Sequence, residues 1–90
     1  MDEARRITVT GDVQGVGFRA WTQEVARELG IVGWVRNRPD GTVEAHLEGR
    51  GGAISQMIDR LTDGPPAGRV DDVKADAAEP AEPVEFEIRS

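Results

Sequence analysis

Apolar residues in this chain change their spacing from two to three or four and back again, and they do so twice between residues 6 and 76. From Arg6 to Gly11, Ile7, Val9 and Gly11 alternate with Arg6, Thr8 and Thr10, the pattern of a half-buried strand. Phe18, Trp21, Val25 and Leu29 then form one helical stripe, and Gly30 stands where a left-handed C-terminal cap belongs. Ile31 to Asn37 reads as a second strand. Arg38-Pro39-Asp40-Gly41 follows as a type I turn closed by glycine. A third strand runs from Thr42 to Gly49, with Val43, Ala45 and Leu47 inward and Glu44, His46 and Glu48 outward. After Gly51-Gly52, Ile54, Met57, Ile58 and Leu61 mark a second helix, which Asp63-Gly64-Pro65-Pro66 ends. A fourth strand is expected from Arg69 to Asp76, a linker over Glu79–Pro83, and a short edge strand in which Val84, Phe86 and Ile88 alternate.

Two strand-helix-strand units and one more strand predict an α+β fold, the ferredoxin-like βαββαβ (split βαβ) sandwich, with two helices on one face of a mostly antiparallel sheet and a short fifth edge strand. Ninety residues leave room for one domain, spanning 1–90. With no cysteine, its small core has no disulfide or thiolate metal site to support it. The 38% hydrophobic content together with 11 glycines is ordinary for a globular chain. Net charge is −6, carried mostly by residues 51–90, and such a surface repels nucleic acids and anionic membranes. Four aromatic residues, two of them in the helical stripe, leave no stacking platform for RNA. The apolar run Leu29–Val35 is far too short to cross a bilayer, and Met1-Asp2-Glu3-Ala4-Arg5-Arg6 has no apolar segment behind it, so a cytoplasmic location is expected.

The topology makes a site by itself. In a split βαβ unit the first and second strands run in the same direction with the third between them, so their C-terminal ends meet at one sheet edge, roughly 10 Å apart. One end carries the Gly15-Val16-Gly17 loop and Arg19, the other Asn37. The two glycines let backbone N–H groups converge, and the helix starting near Phe18 points its positive end at the same place. Arg19 adds a planar fork suited to an anion such as phosphate. A tight turn with a solvated arginine is the plainer alternative.

The stretch Gly11-Asp12-Val13-Gln14-Gly15-Val16-Gly17-Phe18-Arg19, followed by Gly33-Trp34-Val35-Arg36-Asn37-Arg38-Pro39-Asp40-Gly41-Thr42-Val43-Glu44, closely resembles the two signatures of the acylphosphatase family. Element order and the terminal Phe86-Glu87-Ile88-Arg89 extend the resemblance over nearly the whole chain; it departs at Ser90, where many relatives carry an aromatic residue. The resemblance implies hydrolysis of the carboxyl-phosphate bond of acyl phosphates, without cofactor or metal. It implies that Arg19 binds the phosphoryl group, that Asn37 positions the attacking water, and that the backbone of Gln14, Gly15, Val16, Gly17, Phe18 and Arg19 forms the phosphate cradle. A noncatalytic phosphate- or carbamoyl-phosphate-binding module is the alternative. Expected partners are small acyl phosphates only, and a monomer is expected.

The remaining residues carry plainer expectations. His46 reads as a solvated surface histidine between Glu44 and Glu48, and these three do not make a closed metal shell. Trp21 and Trp34 read as core aromatics. Arg36 and Arg38 could steer an anionic substrate or simply solvate the hairpin end.

Overall fold

The computed structural model describes Asp2–Arg89; Met1 and Ser90, and with them the unusual terminal residue, lie outside the described residues. The elements are β1 (Asp2–Asp12), α1 (Phe18–Leu29), β2 (Val32–Asn37), β3 (Val43–Arg50), α2 (Gly51–Asp63), β4 (Arg69–Ala77) and β5 (Phe86–Arg89). They form one five-stranded sheet in the order β4-β1-β3-β2-β5. All pairs are antiparallel except β2 with β5. β3 lies between β1 and β2, with Ile7 opposite Ala45 on one side and Val35 opposite Ala45 on the other.

Alternation decides which side chains meet the helices. Ile7 and Val9 of β1, Val35 of β2, and Val43, Ala45 and Leu47 of β3 share one face, and all are buried. Phe18, Val25 and Ala26 of α1 and Ile54, Met57 and Leu61 of α2 close over that face in a single cluster. Each such large apolar side chain stabilises the fold by roughly 1.5–3 kcal/mol when fully buried. α1 ends at Gly30, whose N–H reaches the carbonyls of Ala26 and Arg27. Trp21 packs against the cluster at its margin, its ring centroid 5.4 Å from that of Phe18. No helix among the described residues is long and apolar enough to cross a membrane.

The opposite face of the sheet departs from expectation. His46 is not solvated: it is 2% exposed, and Glu44 and Glu48 beside it are also buried. The cause is the Pro-rich segment before β5, which crosses this face instead of hanging free. Glu48 accepts the N–H groups of Ala81 (2.7 Å) and Glu82 (3.2 Å), and its Oε2 lies 2.6 Å from His46 Nε2. Glu82 adopts a left-handed conformation (φ 52°), a cost of about 1–2 kcal/mol that these bonds offset. Trp34 is not a core residue either. It lies on this outer face, stacked on His46 (centroids 6.1 Å apart, 16° between planes), with the guanidinium groups of Arg6, Arg36 and Arg89 5.0–5.6 Å from its ring. β5 begins at Phe86, so Val84 is outside it and 94% exposed, while Phe86 is buried. β1 begins four residues before the alternation suggests, because β3 continues to pair with it back to Asp2.

Glu48 gives this arrangement a pH dependence. Burial alone would raise its pKa, but the Ala81 N–H, the His46 ring and the Glu82 N–H outweigh that and hold it below its ordinary 4.5. A carboxyl with a depressed native pKa stabilises the fold fully above its unfolded pKa, and the contribution is lost as pH falls through the lower native value. Denaturant unfolding should therefore show the parent losing more stability than Glu48→Gln as pH drops from 7 to 3. Glu48→Ala, which strands two N–H groups, should cost about 2–3 kcal/mol at neutral pH. Parallel pH profiles for parent and Glu48→Gln would contradict this account.

Candidate active site

The loop between β1 and α1 is shaped by Gly15 and Gly17, both at φ 76°. A side chain at either position would be strained by about 1–2 kcal/mol. Gly17 caps α1 without any side chain, and the first turn carries no acidic residue. Among the described residues, the N–H groups from Gly15 to Ala20 donate to no carbonyl or side chain. The start of a helix thus presents a run of uncommitted donors in a field that favours an anion.

Two contacts hold this loop to the rest of the fold. The Gln14 carboxamide donates through Nε2 to the carbonyls of Arg38 and Thr42, at 2.8 Å each. Those carbonyls flank the β2–β3 turn, which is itself closed by Arg38 N–H to Thr42 O (2.9 Å) and Gly41 N–H to Arg38 O (3.1 Å). Inside the turn the Asp40 carboxylate accepts from the Thr42 hydroxyl (2.6 Å) and N–H (3.0 Å), which lower its pKa. The second contact lies across the cavity, where Arg19 Nη1 donates to the carbonyl of Arg89 in β5 (3.0 Å). One N–H of the guanidinium is used there; the others remain for a ligand.

Asn37 is the last residue of β2. Its Oδ1 is buried and has no hydrogen-bond partner, a state that polar atoms in folded proteins rarely keep without a functional reason. Asn37, Gly15, Gly17, Phe18 and Arg19 line one cavity of about 200 Å³, together with Val13, Ala20 and Ile88. Among the described residues, Arg19 is the sole charged side chain in these walls, and no carboxylate lines the cavity.

Most of the residues singled out from the sequence therefore meet here. Gln14 and Val16 are not among the walls: Gln14 ties the loop to the hairpin, and Val16 packs against the core. Arg36 is not at the site. It faces the other side of the sheet, where it pairs with Glu44 at 2.7 Å. Glu44 is held below its ordinary pKa because, although burial would raise it, the Arg36 and Arg6 bonds prevail. His46 is likewise remote from the cavity, beneath the segment that covers the outer face. Sequence reasoning missed Ile88 and the Arg89 carbonyl. The alternation of Phe86 and Ile88 carried the signal for Ile88, since it puts both on the helix side of the sheet.

The chain as a whole is similar to known proteins. A family model described as Acylphosphatase matches residues 5–88. The acylphosphatase of Rhizobium meliloti is 49% identical over 86 residues, 94% of this chain and 90% of that protein. The acylphosphatase of Rhizorhabdus wittichii is 59% identical over 70 residues, 78% of this chain and 71% of the relative. The crystal structure of acylphosphatase from Bacillus subtilis superposes with a TM-score of 0.94 at 35% identity and covers 100% of both chains.

The Gln14 tether can be tested with a bare anion. Gln14→Ala should weaken inorganic phosphate binding about fivefold to tenfold, as expected for two lost hydrogen bonds. Gln14→Glu should weaken it at least as much, because a carboxylate would face two carbonyl oxygens. Titration calorimetry reads both, and undiminished phosphate affinity in Gln14→Glu would remove Gln14 from the support of the loop.

Proposed function

Because the chain belongs to the acylphosphatase family, it hydrolyses the carboxyl-phosphate bond of acyl phosphates, and we propose that Arg19, Asn37 and the main-chain N–H groups of the Gln14–Arg19 loop carry out that reaction. The observation that carries this assignment is the shared cavity, with a guanidinium, a run of free N–H groups and an unpartnered carboxamide oxygen at one sheet edge.

The chemistry needs little more. An acyl phosphate releases a carboxylate, stable as an anion at neutral pH, so no general acid is required. Phosphoryl transfer passes through a loose transition state, and catalysis then consists of positioning and stabilisation of charge on the three peripheral oxygens. In the proposed reaction the loop N–H groups and the Arg19 fork hold those oxygens. Asn37 Oδ1 accepts a hydrogen bond from water and aims its oxygen at phosphorus, opposite the leaving group. The P–O bond to the acyl group breaks and its electron pair leaves with the carboxylate. The water oxygen bonds to phosphorus, and one water proton passes to a peripheral phosphoryl oxygen. The products are a carboxylate and dihydrogen phosphate. The alternative of a noncatalytic binding module is not favoured, since relatives that are themselves acylphosphatases match over most of their own length.

Arg19→Ala should lower kcat/KM for benzoyl phosphate by at least about 10²–10³. Arg19→Lys should recover little of it, because an ammonium cannot reproduce the fork. A lysine variant that keeps most of the activity would refute the role of Arg19. Asn37→Ala should reduce kcat by at least tenfold with little change in KM, the sign of an interaction made in the transition state. A loss confined to KM would count against water positioning by Asn37.

A further inference from the structure

The cavity has a second kind of wall beside its donors. Val13, Phe18, Ala20 and Ile88 are apolar, and Ile88 is 42% exposed. A lone exposed isoleucine is unremarked on most protein surfaces; this one is fixed next to the reacting groups. β5 pairs with β2 so that Ile88 lies opposite Val35, on the same face of the sheet as Asn37 two positions further along. The neighbouring Arg89 supplies the carbonyl that receives Arg19 Nη1. Ile88 is therefore held beside the guanidinium by the strand pairing on one side and by that hydrogen bond on the other.

Charge narrows what can lie against it. A phosphoryl group seated on Arg19 takes up the one charged side chain that lines the cavity among the described residues. No second cation among the walls remains for a carboxylate or further phosphate on the acyl portion, and the net charge of −6 opposes more highly charged substrates. We infer that Ile88, with Ala20, forms the acyl-binding wall of this cavity, and that the chain prefers acyl phosphates with uncharged aliphatic or aromatic acyl groups to those bearing a further anion. This rests on the proposed seat of the phosphoryl group at Arg19.

The test compares kcat/KM for benzoyl, acetyl and succinyl phosphate in the parent, Ile88→Leu, Ile88→Ser and Ile88→Lys. The parent should favour benzoyl over succinyl phosphate by about tenfold or more, the range that one apolar contact provides. Ile88→Ser should lower the benzoyl-to-acetyl ratio about fivefold to tenfold, and Ile88→Leu should preserve it. Ile88→Lys should shift the benzoyl-to-succinyl ratio toward succinyl phosphate, a change that simple damage to the fold would not produce. Inhibition by inorganic phosphate, which has no acyl group, should change less than about twofold across the series. Unchanged ratios in enzymes that still hydrolyse all three substrates would overturn the acyl wall and leave the proposed reaction standing. Failure of the parent to hydrolyse any of the three would overturn the reaction itself.

Discussion

Because β3 hydrogen-bonds β1 along one edge and β2 along the other, both in antiparallel register, β1 and β2 must run parallel and finish at the same end of the sheet. The loop that follows β1 and the asparagine that closes β2 are neighbours for that reason alone. The core makes the relation rigid, since the side chains that fix the register (Ile7, Val35, Ala45) are also those buried beneath the helices. A one-residue slip of any of these strands would turn its apolar set to the other face. Site geometry and core burial are thus one requirement, and the chain cannot relax the first without exposing the second.

Within that frame the polar groups are divided by the sheet. On the helix side, donors are left uncommitted and Asn37 keeps an unpartnered oxygen. On the other side the buried carboxylates are matched, Glu44 by Arg6 and Arg36 and Glu48 by two main-chain N–H groups and His46, while three guanidinium groups surround the Trp34 ring. Unsatisfied hydrogen-bonding capacity costs stability when buried. Thr22 Oγ1, Arg6 Nε and His46 Nδ1 are also buried without a partner, but only Asn37 Oδ1 shares a cavity with Arg19 and the uncommitted N–H groups.

Much of this could be read from the amino acids. Spacing gave the element order and hence the sheet connectivity, and connectivity brought Arg19, Asn37 and the two glycines to one rim. The Arg38–Gly41 turn followed from its residue types. The outer face could not be read in the same way. Alternation tells which side of a strand His46 faces, but not whether a distant segment will cover that side, and the segment in question has the proline and glutamate content of a linker. Burial of His46 depends on Ala81 and Glu82, more than thirty positions away, through bonds made by main-chain N–H groups that every residue but proline possesses. The Arg19–Arg89 contact was hidden for the same reason, because its acceptor is a carbonyl and has no side-chain signature.

That contact joins positions 70 residues apart. The guanidinium comes from the first turn of α1 and its acceptor from β5, so this contact closes only when both elements are in place. The orientation of this one guanidinium is accordingly tied to the pairing of β5 with β2, a link between the two ends of the topology.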